Sequence, residues 1–214
     1  MHNITFISTI HKENGKCTAE ELCSIIEKIK PEVIFLETLE ETYSEYQHST
    51  FFQFGVFHSK LEIAAIQKYN YIDSFKYFPV LDKGMSNVFD RKYSVLSQHS
   101  ELQILMDNFN ALLDKSGFKL LNSEENIKLQ DEMRILEDLL LNDSKLAEEF
   151  AISIDEYENS MLRNIYSYCQ NNQFITAIFM CGAAHRKSII EKIEKSKTQE
   201  SIKLNWTIFG ELNI

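Results

Sequence analysis

The chain has 214 residues, enough for one domain with a sizeable core and too few for two of ordinary size. Its 44% apolar and 25% charged content is ordinary for a globular chain, but six glycines and two prolines are too few for a turn-dense all-β sandwich or a Pro-rich rod. With 22 basic against 32 acidic side chains the net charge is −10, which excludes a general phosphate-tracking surface and predicts no nucleic-acid partner.

Residues 4–10 form a β-rich run that ends at His11. A loop with Asn14-Gly15 follows, then Thr18-Ala19-Glu20-Glu21, a capping-box spacing in which Thr18 and Glu21 would satisfy each other's orphan amides. Leu22, Ile25, Ile26 and Ile29 make one apolar stripe at helical spacing, and Pro31 stops that helix. Val33-Ile34-Phe35-Leu36 reads as a buried strand ending at Glu37. This is a β-α-β unit, and it implies a parallel sheet.

The middle of the chain is less regular. A helix is expected over 57–69, and 75–81 is a weaker strand ending at Asp82, with Pro79 arguing against a central position. From 86 to 172 nearly everything reads as helix. Ser123 and Ser153 fit as N-caps, Ser153 with Glu156 repeating the capping-box spacing. Asp131, Glu132, Glu137 and Asp138 read as a solvated helix face. Sheet character returns at 174–181, which runs into Gly182-Ala-Ala-His185 and a helix carrying Ile189, Ile190 and Ile193; 204–209 supplies a last strand. The expected fold is α/β: a single domain over 1–214 whose mostly parallel sheet is formed by both chain ends, with a large helical insertion at 86–172. The words Ser24-Ile-Ile-Glu-Lys-Ile29 and Ser188-Ile-Ile-Glu-Lys-Ile193 are identical. They are either a common amphipathic word or the trace of two facing strand-His-helix units.

Ligands of open α/β sheets sit at the carboxyl ends of the strands. Those ends carry His11, Glu37, Asp82 and His185, with Glu62 on the helix between. Singly, each has a plainer reading as a loop or surface residue. Together they predict one cleft with convergent ionisable groups, where burial and mutual charge shift pKa values.

Other chemistry lacks its motifs. There is no phosphate-cradling glycine loop, no H-E-x-x-H helix and no G-x-S-x-G elbow. The start has no basic n-region or small-residue cleavage site, and apolar runs fall far short of the ~20 residues that span a bilayer. Cys17, Cys23, Cys169 and Cys181 form no C-x-x-C pair. A cytoplasmic protein with reduced thiols and no membrane partner is expected.

Ser8-Thr-Ile-His11, Phe35-Leu-Glu37 and Gly182-Ala-Ala-His185 resemble, in order, the G-T-x-H, strand-end glutamate and G-x-x-H of the TraB and Tiki superfamily. That grouping also takes in the erythromycin esterases and the ChaN-type haem-binding lipoproteins. Leu61-Glu62-Ile63-Ala64-Ala65-Ile66 resembles the E-M-x-x-A-I helix of TraB relatives, and Val80-Leu-Asp82-Lys83 their aspartate-arginine strand end. Glu158-Asn-Ser-Met161-Leu-Arg-Asn164-Ile resembles the D-x-x-M-A-x-N-I helix of the esterases. Ser8 replaces the first glycine, Lys83 the arginine after the aspartate, and Tyr157 an arginine before the helix motif, removing a permanent charge.

The resemblance implies a hydrolase that cleaves an amide or ester of a small-molecule or peptide substrate by activated water. His11, Glu37, His185, Glu62 and Asp82 are its implied catalytic residues. His11, Glu37 and His185 would ligate any divalent metal (Mn, Co or Zn). The alternative it implies is a non-catalytic binding or regulatory protein holding a small molecule, haem or a peptide.

Overall fold

The computed structural model describes residues 2–40, 58–199 and 202–210. Five strands, β1 (His2–Thr9), β2 (Val33–Leu36), β3 (Lys76–Pro79), β4 (Thr176–Gly182) and β5 (Leu204–Ile208), pair in the order β3-β2-β4-β1-β5. All four pairings are parallel, and both ends of the chain contribute. The sheet is therefore α/β in class, as the alternating strand and helix patterns require. Pro79 lies on the edge strand β3, where its missing donor does no harm.

Side chains alternate across the sheet into two cores. Ile7, Ile34, Leu36, Ile178 and Met180 pack on one face with α1 (Ala19–Ile29) and α2 (Leu61–Tyr69). Phe6, Val33, Phe35, Ala177, Phe179 and Cys181 pack on the other. Their partners there come from helices α7 (Ser144–Asn171) and α8 (Arg186–Gln199). Between β3 and β4 the chain runs through α3 (Asn87–Leu96), α4 (Ser100–Ser116), α5 (Phe118–Leu121), α6 (Glu124–Leu141) and α7. These helices have an apolar cluster of their own at Leu96, Leu102, Leu141 and Leu146.

Neighbouring β1 and β4 send their following helices to opposite faces, α1 to one core and α8 to the other. That is a topological switch point, and ligands of open α/β sheets bind at the carboxyl ends of such strands. His11 and His185 flank this switch point.

Several local expectations change. The helix expected from residue 57 begins at Leu61, Phe57 itself lying outside the described residues. Thr18 accepts from the Glu21 amide at 3.1 Å, but Glu21 does not close the capping box, and its Oε2 is buried without a hydrogen bond from the described residues. Ser153 is not an N-cap. It lies inside the continuous α7, which Asp143 caps by accepting from the Leu146 amide, and its hydroxyl meets that of Ser86 at 2.8 Å. Glu137 is not on a solvated face, because α3 packs against α6 and brings Lys92 to within 2.8 Å of it. In both copies of the repeated hexapeptide the three isoleucines pack on a core, Ile25, Ile26 and Ile29 on one face of the sheet and Ile189, Ile190 and Ile193 on the other. A shared amphipathic pattern suffices to explain it.

Candidate functional site

Glu37 follows β2 and is 5% exposed. Its Oε2 accepts the Gly182 backbone N–H at 2.6 Å and its Oε1 accepts the Tyr157 hydroxyl at 2.8 Å. Burial alone would raise this carboxyl, but the neighbouring His185, the Gly182 amide, His11 and the Tyr157 hydroxyl outweigh it and hold Glu37 below its ordinary range. Glu37 is a fixed carboxylate. Burial, reinforced by Glu37, pushes the Tyr157 phenol far up, so it stays a donor.

His185 occupies the turn between β4 and α8 and is 7% exposed. Its Nδ1 lies 2.7 Å from Glu158 Oε1, and its Nε2 lies 3.7 Å from Glu37 Oε1. The Glu158 hydrogen bond assigns the proton to Nδ1 and aims Nε2 at Glu37. Burial would lower this imidazole, but the hydrogen bond to Glu158 and the charges of Glu37 and Glu158 prevail, and its pKa is raised. Glu158 is itself held by the Ser188 hydroxyl.

His11 repeats the arrangement on the β1 side. Its Nδ1 lies 3.0 Å from Glu62 Oε1, which also accepts the Thr9 hydroxyl at 2.8 Å. His11 is about half exposed while Glu62 is 1% exposed, so the dyad has an open end and a buried end. Glu62 Oε2 is buried and takes no hydrogen bond from the described residues. The switch point is thus edged by two His–Glu dyads, with Glu37 in the field of both histidines.

Asp82 is placed differently. It accepts Arg163 at 2.6 Å and Asn164 at 2.8 Å and lines a polar depression with Ser86, Ser153 and Tyr157, the donor to Glu37. The Asn164 hydrogen bond comes first among the causes that hold its carboxyl below the ordinary range, with Arg163 and Lys83 adding to it. Its partners belong to α7, so it ties β3 to that helix.

The turn that carries His11 is anchored from beneath. Ser8 donates its amide to Asn122 Oδ1 at 2.8 Å, and its hydroxyl accepts Arg186 Nη1 at 3.2 Å. Arg186, 1% exposed, also donates to Asn122 Oδ1, the Asn122 carbonyl and the Phe209 carbonyl. This clasp joins the ends of β1, α5 and β5. No sequence motif marks it.

No family model, curated protein or solved structure matches the chain.

Glu37, Cys181 and His185 offer ligand atoms that all lie within 4.8 Å of one another, so this buried group could hold a metal ion. Carboxylate, imidazole and thiolate are the donors of borderline divalent metals. The Glu158–His185 pair has the form of a carboxylate–histidine support for a ligating Nε2. Cys181 fits less well. Its Sγ contacts Met161 Sδ at 4.0 Å within the apolar core, and burial together with Glu37 pushes its thiol well up. All four cysteines are buried and free, without the exposed, electropositive setting of a reactive thiol. Among the described residues no helix is long and apolar enough to cross a membrane.

Proposed function

We propose that the chain is a hydrolase of TraB/Tiki type, cleaving an amide or ester bond by activated water at the Glu37–His185 centre. The observation that carries this reading is the buried Glu158–His185–Glu37 line at the carboxyl end of the sheet, with distances of 2.7 and 3.7 Å. A carboxylate held below its ordinary range is a poor base and a good ligand. The geometry therefore favours the metal-assisted form, with Glu37 and His185 as ligands and His11 or Cys181 as the next donor. A divalent ion held there, Mn, Co or Zn, supplies Lewis acidity that makes water nucleophilic near neutral pH. Glu158 orients His185, Glu62 orients His11, and Tyr157 with Gly182 fixes both oxygens of Glu37. Burial keeps the Tyr157 phenol protonated, so its single O–H stays committed to Glu37.

The test is a panel of ester and peptide substrates assayed with wild type, His185→Ala and Glu37→Gln, beside metal analysis by mass spectrometry and a visible spectrum. The variants should lose about 10²–10⁴-fold in rate with the fold retained. A chelator should abolish the activity and Mn²⁺ or Co²⁺ restore it. If wild type cleaves nothing that the variants do not, the hydrolase reading falls. A Soret band from the purified protein would replace it with haem binding.

A further inference from the structure

The helices between β3 and β4 do more than cover the sheet. Between α3, α6 and α7 lies a half-open pocket of about 410 Å³, within the range of small-molecule sites. Phe89, Met133, Phe150 and Ala151 give it apolar walls. Glu158, His185 and Ser188 line it as well, so it shares a wall with the reacting centre. Two of its buried charges answer each other: Lys92 lies 2.8 Å from Glu137, the Tyr93 hydroxyl donates to Glu137 at 3.2 Å, and Lys92 Nζ stands 4.1 Å from the Phe150 ring centre. A ligand held by either of those two charges would have to break that pair, at the desolvation cost of a buried charge. An uncharged group meets aromatic and thioether surface and breaks nothing.

From this continuity we infer that the pocket receives an uncharged alkyl or aryl part of the substrate beside the scissile bond, and that Phe150 and Ala151 limit its size. The inference deepens the hydrolase reading and rests on it for the word substrate. The apolar site itself is separately measurable.

Binding is tested with N-phenyl-1-naphthylamine, a neutral dye that fluoresces in apolar surroundings. Wild type should bind one dye saturably per chain, and Ala151→Trp, which fills the pocket, should weaken binding at least about tenfold. Glu37→Gln should bind as wild type does. Turnover is tested with p-nitrophenyl esters from acetate to decanoate. The ratio of kcat/KM for long to short chains should fall in Ala151→Trp and rise for the longest esters in Phe150→Ala, which also serves if the tryptophan variant misfolds. Absent saturable binding, or binding that neither variant alters, overturns the inference. Binding as expected with no ester or peptide cleaved keeps the apolar site and removes the hydrolase reading. His185-dependent cleavage with the same chain-length profile in both variants does the reverse.

Discussion

Replacing Lys92 by Met tests whether the helical layer is built around a buried ion pair. Lys92 is 3% exposed and Glu137 10%, so both charges have left most of their water. Removing one partner of such a pair typically costs about 3–5 kcal/mol, because the other is stranded. In Lys92→Met the Tyr93 hydroxyl still donates to Glu137, which places the cost near about 3 kcal/mol, the lower end of that range. For a chain of this size that is a fall in Tm of roughly 6–12 °C. Removing both charges, Lys92→Met with Glu137→Leu, leaves an apolar contact against Phe150 and should destabilise less than either single change. Urea unfolding of wild type, both singles and the double measures the coupling directly. Singles that each lie within about 1 kcal/mol of wild type and add in the double would refute the pair's burial and the pocket floor with it.

How much of this was legible in the sequence depends on the range of the interaction. Strands β1, β2 and β4 announce themselves as apolar runs because both faces of each are covered, and their ends name His11, Glu37 and His185 without further help. Ser123 was legible as a cap because capping is local, and it accepts the Asn126 amide at 3.3 Å. Ser153 has the same local pattern, yet α7 runs through it, since Asp143 already begins the helix and tertiary packing carries it on. Glu137 looked like a solvated acid because its partner lies in another helix, 45 positions away. Glu158 was visible only as part of a resemblance to a helix motif; its role depends on α7 passing beside His185. Tyr157, read as the loss of a positive charge, instead supplies a neutral donor to Glu37. Asn122 and Arg186 carry no signal in sequence, because their contacts join β1, α5 and β5 across the whole chain. Periodicity reports the faces of elements, but not which elements meet.

Two further outcomes concern the dyad beside Glu37. Glu158→Gln keeps a hydrogen-bonding side chain but removes the charge, so the His185 pKa should fall and activity should drop about 10–100-fold, as for other groups that orient a ligand; unchanged activity with a shifted pKa would make Glu158 merely structural. The pH dependence of the metal-free protein follows from the same pair. Burial works against the His185 cation, and the Glu158 hydrogen bond with the Glu37 and Glu158 charges more than restores it, so the folded pKa lies above the unfolded value of about 6.5. A raised pKa means that the folded state holds the proton more tightly, so this contribution to stability is fully present below about pH 6.5 and is lost as pH rises through the folded value. Glu37 has the opposite sign: its carboxyl is held low, so its contribution is present above about pH 4.3 and is lost as pH falls through its folded value. Between these limits both charges are in place, and the ion pair is complete. Ring-proton NMR of the metal-free chain should therefore show His185 titrating above 6.5, with Glu37→Gln lowering it; a divalent ion on Nε2 should expel the proton and reverse the slope of stability with pH. A ring that titrates below 6.5 in the intact protein would mean that burial prevails over the two carboxylates, and the charged line from Glu158 to Glu37 would have to be abandoned.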